Sequence, residues 1–256
     1  MLVKLRRSVV ASACAALLLV PASVASGQAR RGRPARGRQH QSRVKQEETL
    51  RFPRAGAVRV RAVETRRALP RLEFASAATG RALGVFNLGT SDPEAFKPDE
   101  GWGDSPIDPL VRFRALDVEG LPRPLVFAVA VRPGGSDHTF ETTLLGEAGG
   151  RLKVLTPEPL LTSIQGGVFV GDLGGKYGRG VAVWVFIWGD DAPHYAEHRY
   201  EVKLYTYDAR RATFRRAAVL RSKGKHRQGV DALAELGLPR YKNLLDDFPA
   251  IEDYRN

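Results

Sequence analysis

Two unbroken apolar runs constrain this chain more than any other feature. Leu125-Val-Phe-Ala-Val-Ala-Val131 is seven residues long and Val181-Ala-Val-Trp-Val-Phe-Ile-Trp188 is eight. Both are rich in β-branched and aromatic types. A strand with one wet face alternates apolar with polar residues, and neither run alternates. Each therefore reads as a strand with both faces covered, which requires further layers on either side of its sheet.

The segments around the two runs repeat in the same order. The first copy reads Phe113-Arg-Ala-Leu-Asp117-Val-Glu-Gly120, then Leu125–Val131, His138-Thr-Phe-Glu141-Thr-Thr-Leu-Leu145 and Arg151-Leu-Lys-Val-Leu155. The second reads Val168-Phe-Val-Gly-Asp172-Leu-Gly-Gly175, then Val181–Trp188, His198-Arg-Tyr-Glu201-Val-Lys-Leu-Tyr205 and Thr213-Phe-Arg-Arg216. Asp117 and Asp172 lie 55 positions apart and His138 and His198 lie 60 apart, so one loop, between Trp188 and His198, carries five extra residues. Each copy predicts four short strands. Residues 198–207 alternate: His198, Tyr200, Val202, Leu204 and Thr206 share one face, while Arg199, Glu201, Lys203, Tyr205 and Tyr207 share the other. A third, weaker copy precedes these at Val58–Val63, Arg71–Ala75 and Ala82–Leu88, and the Asp-, Pro- and Gly-rich residues 89–109 read as a long surface loop. The expected class is mainly β. It consists of repeated four-stranded antiparallel units, as a partial propeller or β-sandwich, over residues 54–222.

The segment Gly-Gly-Val-Phe-Val-Gly171-Asp172-Leu-Gly-Gly175, followed by an apolar strand, resembles the blade start of FG-GAP or VCBS-type β-propeller repeats. The likeness spans about residues 113–219. In that family a Gly-Asp loop precedes the apolar strand and its acids often hold calcium, so the resemblance implies calcium at the loops of Asp117 and Asp172. The loops depart from the pattern, because Gly174, Gly175 and Lys176 follow Asp172, and Glu119, Gly120 and Leu121 follow Asp117. Calcium takes six to eight oxygens, and loops with one or two acids read more simply as Asp-capped turns. Three blades do not close a propeller, which takes at least four.

The charge lies mostly outside these repeats. The formal net charge is +12, from 40 Lys and Arg against 28 Asp and Glu. Lys4, Arg6 and Arg7 precede an apolar stretch from Ser8 to Val20, followed by Pro21 and the small residues Ala22 to Gly27. That order predicts a cleaved secretory signal over residues 1–26, because the stretch is too short for a comfortable membrane span. Cys14 sits in a loosely lipobox-like Ala11-Ser-Ala-Cys14, but the apolar Leu17-Leu-Leu-Val20 follows it, which argues against a lipoprotein. The mature chain would then be exported, periplasmic or extracellular, with no cysteine for disulfides, thiol catalysis or a Cys-rich metal module and with no transmembrane span. Seven positive residues and no acid lie within 27–45, so the remaining 30 positives face all 28 acids and the body carries only +2. Residues 27–53 read as a basic disordered arm, carried by Arg30, Arg31, Arg33, Arg36 and Arg38. The arm is a tether, or contacts an anionic polysaccharide or other anionic surface. Nucleic acid is disfavoured, since no aromatic rings alternate with the arginines.

His194-Tyr195-Ala196-Glu197-His198 is the sharpest chemical motif. It matches H-x-x-E-H, in which two histidines one helical turn apart bind zinc and the glutamate is general base. It defines one alternative, a zinc-dependent hydrolase using His194, Glu197 and His198. A lesser version is a structural or adventitious metal at Asp190, Asp191, His194 and His198. Against both, the repeat puts His198 at a strand start, aligned with His138, where an imidazole ordinarily bonds a strand-end carbonyl. Trp184 and Phe186 lie within an all-apolar strand and read as core. Trp188 and Tyr195, flanking the loop, are the candidate ligand-binding aromatics. No Gly-x-Ser-x-Gly elbow, Walker loop or Rossmann fingerprint is present.

After residue 222 the pattern changes. Val230–Leu236 predicts a helix ended by Gly237, and Pro239 predicts a second over Arg240–Phe248, stopped by Pro249. Residues 223–256 are thus expected to cover the sheet with short helices, or to dock a partner. Taken together, the sequence predicts a non-catalytic binding or structural module of the cell envelope or exterior, with zinc or calcium as optional ions. An envelope protein or anionic polysaccharide is the expected partner.

Overall fold

The computed structural model describes residues 42–65, 68–93, 110–132, 138–188, 193 and 195–249. The signal segment, the arm arginines Arg30, Arg31, Arg33, Arg36 and Arg38, and Asp190, Asp191 and His194 lie outside the described residues. Three antiparallel sheets follow one another along the chain, each a meander of sequential strands. The first holds β1 (Ser42–Phe52), β2 (Gly56–Thr65), β3 (Ala68–Ser76) and β4 (Ala82–Asn87). The second holds β5 (Leu110–Leu116), β6 (Leu125–Arg132), β7 (Thr139–Ala148) and β8 (Arg151–Val154), with β9 (Leu160–Ser163) added beside β7. The third holds β10 (Gly167–Asp172), β11 (Arg179–Ile187), β12 (Arg199–Asp208) and β13 (Thr213–Arg221). The repeat read from sequence is thus a repeat of four-stranded sheets, and its two apolar runs are the second strands β6 and β11.

The runs are apolar on both faces because the sheets stack. Along β6, Val126, Ala128 and Ala130 meet Val58, Val60, Leu72 and Phe74 of the first sheet. The alternate residues Leu125, Phe127, Val129 and Val131 meet Val168, Val170, Val181 and Val183 of the third. Along β11 the same division holds: Val181 and Val183 face the second sheet, while Ala182, Trp184 and Phe186 face the C-terminal segment. All these β6 and β11 residues are at most 3% exposed. Complete burial of a Val, Leu or Phe side chain stabilises by about 1.5–3 kcal/mol, so a polar residue in place of any Val, Leu or Phe from Leu125 to Val131 would cost on that scale.

The stack has two different ends. The outward residues of the first sheet include Glu47, Arg61 and Glu73, which the register places side by side across β1, β2 and β3. Arg61 Nε bonds Glu47 at 2.5 Å, and this face is polar. The far face of the third sheet is instead covered by chain. Helix α1 (Gly229–Glu235) buries Ala232 and Leu233 against it, and Leu238 and Tyr241 continue the cover. Gly229 begins α1 against Trp184, where an added Cβ would stand 2.2 Å from Cδ1, so only glycine allows this approach.

Two boundaries differ from the sequence reading. The arm expected over 27–53 ends earlier, since Ser42–Phe52 forms β1 and pairs with β2 from Ser42↔Thr65 to Phe52↔Gly56. Its polar residues are engaged by distant parts of the chain. The Gln46 side chain receives a hydrogen bond from Phe113 N at 3.1 Å and donates one to Phe113 O at 2.8 Å, as a neighbouring peptide would. Lys45 Nζ lies 2.7 Å from buried Glu64. The second helix expected over Arg240–Phe248 contracts to a single 3-10 turn, Leu244–Asp247. The residues before it are extended along β10: Asn243 Oδ1 accepts from Val168 N at 3.0 Å, and Tyr241 donates to Leu173 O at 2.7 Å. Tyr241 also stacks on Phe169, with ring centroids 4.5 Å apart and planes 8° from parallel. These tertiary bonds hold the segment more strongly than its helix propensity could.

Carboxylates on β7 bind the first two sheets together. Glu141, 1% exposed, accepts hydrogen bonds from the backbone N–H of Gly89 (2.6 Å), Thr90 (3.0 Å) and Ser91 (3.0 Å) and from the Ser91 hydroxyl. Glu147 does the same at the β1–β2 turn, accepting from Arg54 N at 2.9 Å and Ala55 N at 3.1 Å.

Candidate functional site

Strand β11 ends on a change of environment. Phe186 is 3% exposed, Ile187 37% and Trp188 54%, so the chain leaving the strand carries an aromatic ring out of the core and into solvent. The ring is braced from below. Its edge meets Phe186 at 4.8 Å between centroids and His198 at 6.0 Å, each at 68°. Tyr195, 66% exposed, lies on the returning side of the same loop. The Trp188 ring thus stands exposed on a rigid base, suited to stacking on a flat or ring-shaped ligand, and Tyr195 is a second exposed amphipathic ring seven residues further on. Both are residues that the sequence singles out for ligand contact.

His198 is 2% exposed and stands immediately before β12, where it forms an isolated antiparallel bridge by exchanging backbone hydrogen bonds with His226 at 3.0 and 2.8 Å. Its Nε2 lies 3.0 Å from Pro193 O, so that nitrogen carries the proton and donates. Only Nδ1 remains as a lone pair for a metal. Residues 195–198 form a turn and then the bridge, with Ala196 N bonded to Pro193 O at 2.9 Å. The helix that the zinc motif uses to align its two histidines is not formed there, and Glu197 is exposed. Among the described residues, no group of three His, Cys, Asp or Glu is gathered closely enough to hold a metal ion.

The repeat loops carry their acids in ordinary turns and ion pairs. Asp172 Oδ1 accepts from Gly174 N at 2.9 Å, closing an Asp-capped turn. The Arg179 guanidinium lies 3.4 Å from both Asp172 and Glu119, and Asp117 pairs with Arg123 at 2.8 Å. A guanidinium therefore stands between the two loops whose resemblance implied calcium.

A second feature was not foreseen from sequence. Where the β8–β9 connection meets the start of β13, Pro157, Glu158, Arg211, Thr213, Phe214, Arg215 and Arg216 line an open cavity of about 340 Å³. Its walls are tied together through Leu155, whose carbonyl accepts from Phe214 N (2.7 Å) and Thr213 Oγ1 (2.8 Å). Tyr205 donates to Glu158 at 2.6 Å, and burial, then this bond, push the phenol above its ordinary value of 10.0. Asp208 opens the β12–β13 turn, accepting from Arg210 N (3.0 Å) and Arg211 N (3.1 Å). Its carboxyl is held below the ordinary range, first by the Arg211 N–H. The signal available in sequence was the Asp-Ala-Arg-Arg turn alone. Glu158 is 47 residues from Tyr205 and 58 from Arg216, and only folding joins them.

No family model, curated protein or solved structure matches this chain. Among the described residues no helix is long and apolar enough to cross a membrane.

Proposed function

We propose that this chain is a non-catalytic binding module of the cell envelope or exterior, and that it engages a saccharide polymer at Trp188 and Tyr195. The observation that carries the reading is the exposed Trp188 ring on a braced strand end. Sugars present flat C–H faces that pack on such rings, and a ring already held in place loses little freedom on binding. The order of residues 1–27 supports export, and the basic segment 27–41 supports a tether that also favours anionic surfaces.

The test is affinity electrophoresis of the exported full chain through gels containing polymers of glucose, N-acetylglucosamine or uronic acid. At least one polymer retards the wild type, and Trp188→Ala weakens that retardation about tenfold, the scale of one lost aromatic contact. The variant folds with less than about 1 kcal/mol of lost stability, as expected for a half-exposed ring. Unchanged retardation of Trp188→Ala, or no retardation of the wild type by any polymer, refutes the reading. One equivalent of zinc in the purified chain, lost in His198→Ala, would replace it with the hydrolase.

A further inference from the structure

We infer that the cavity between Glu158 and Arg216 is a second binding site, which takes a compact ring bearing an oxyanion, as in a carboxylated or sulfated sugar unit. The inference rests on the saccharide-binding reading and adds to it the ligand's charge and a second point of contact. Its volume of about 340 Å³ lies at the small end of ligand cavities, which run from roughly 300 to 1,000 Å³. That is room for one or two sugar rings and not for a folded peptide.

The lining matches such a ligand in chemistry. Arg211, Arg215 and Arg216 bring three guanidiniums, and Lys153 Nζ stands 3.5 Å from the Arg211 carbonyl. Among the described residues, the carboxylates paired with these guanidiniums are Glu158 in the wall and Asp208 on the turn. Both are already engaged, Glu158 by the Tyr205 hydroxyl and Asp208 by two backbone N–H groups. The guanidiniums meet them loosely: Arg215 to Asp208 is 3.5 Å, Arg216 to Glu158 is 3.5 Å and Arg211 to Asp208 is 4.0 Å. By comparison, Arg221 grips Glu201 at 2.7 and 2.8 Å. A guanidinium has five N–H donors in a planar fork, so most of those in the cavity remain available to a carboxylate or sulfate. Pro157, exposed at the rim, supplies the apolar contact that a sugar ring needs alongside its charge, over a floor closed by the fully buried Phe214. Glu158, anchored by Tyr205, is placed to accept from ring hydroxyls.

The test is titration calorimetry of the full chain with carboxymethyl-dextran, dextran sulfate and neutral dextran, which share a backbone and differ in the oxyanion. Three variants are compared with wild type: Arg215→Ala/Arg216→Ala, its lysine counterpart, and an arm variant with Arg30, Arg31, Arg33, Arg36 and Arg38 each changed to serine. Wild type is expected to bind one or both charged polymers, and the polymer preferred identifies carboxylate or sulfate as the natural group. The cavity variant should weaken that binding about a hundredfold at low salt, the loss of two charge-assisted contacts at roughly tenfold each. Both arginines are more than half exposed, so folding is not at issue. Arg215→Lys/Arg216→Lys should recover part of the affinity, since charge returns without the planar fork. Equal binding by wild type and the alanine variant, loss confined to the arm variant, or no binding of either charged polymer overturns the inference. Neutral dextran binding as tightly as the charged polymers, with all three unaffected by the cavity variant, would overturn it while leaving the saccharide reading intact.

Discussion

Removing the Glu141 carboxylate is the most severe single change that the described structure offers outside its apolar layers. This side chain is 1% exposed and accepts four hydrogen bonds, three from consecutive backbone N–H groups of Gly89, Thr90 and Ser91 and one from the Ser91 hydroxyl. A hydrogen bond to a charged group contributes about 1.5–3 kcal/mol, and a buried N–H left without an acceptor costs about 1–3 kcal/mol. The four bonds share one acceptor and do not add. In Glu141→Ala the segment after β4 can peel away and find water, which caps the loss at about 3–5 kcal/mol, the scale of breaking a buried charged pair. Glu141→Gln keeps an oxygen for Gly89 and Thr90 but turns an amide N–H₂ toward Ser91 N, a donor facing a donor, and should cost about 2–3 kcal/mol. Urea unfolding followed by tryptophan fluorescence measures both values. Thermal melting should show a loss near 10 °C for the alanine variant, at roughly 2–4 °C per kcal/mol for a domain of this size. Hydrogen exchange at residues 89–91 should accelerate in both variants while β11 and β12 amides stay protected. An alanine variant within about 0.5 kcal/mol of wild type would refute the idea that this carboxylate holds the first two sheets together.

Other perturbations test other parts of the fold. Gly229→Ala drives a methyl group into Trp184 and should cost about 1–3 kcal/mol with a shift in tryptophan emission; an unchanged melting curve would contradict the close seat of α1. Ala212 sits at φ 48° in the turn that presents Arg211, so Ala212→Gly should raise stability by about 0.5–1 kcal/mol in urea melts. The Glu235 carboxyl, whose ordinary value is 4.5, is held lower by His226 first and then by the Lys223 N–H. A depressed carboxylate adds stability that is complete above its unfolded value and is lost as pH falls through its folded one. Melting temperature should therefore fall below about pH 4.5 in wild type and fall less steeply in Glu235→Gln; identical slopes would show that the contact contributes nothing.

What the sequence could reveal depended on how local each cause was. The β6 and β11 runs were readable because two-sided burial leaves a direct mark, a strand without polar positions. The alternation along β12 was equally direct, with Tyr200, Val202 and Leu204 under the C-terminal cover and Tyr205 toward the second sheet. Strand β1 was not readable, because Ser42 to Thr49 is polar except for an exposed Val44, and its bonds are to Phe113 and Glu64, further along the chain. Pro239 signals a helix start truthfully in local terms, but Tyr241 and Asn243 are drawn instead to β10. At the candidate sites, Trp188 and Tyr195 were legible as aromatics beside a loop. The arginine-lined cavity was not, since its two walls come from different sheets.

The cover over the third sheet also sets an order of events during synthesis. The first two sheets and most of the inner face of the third can assemble as soon as β13 has emerged, with the polar face of the first sheet already turned to water; Leu245 and Phe248 close the core between the second and third sheets afterwards. The outer face of the third, with Trp184, Tyr200, Val202 and Leu204, stays bare until Ala232, Leu233, Leu238 and Tyr241 follow. The segment from Gly229 to Phe248, which follows β13 along the chain, thus completes these layers. A nascent chain stalled before Gly229 carries a wide apolar surface that chaperones can hold, and release of the final segment removes it.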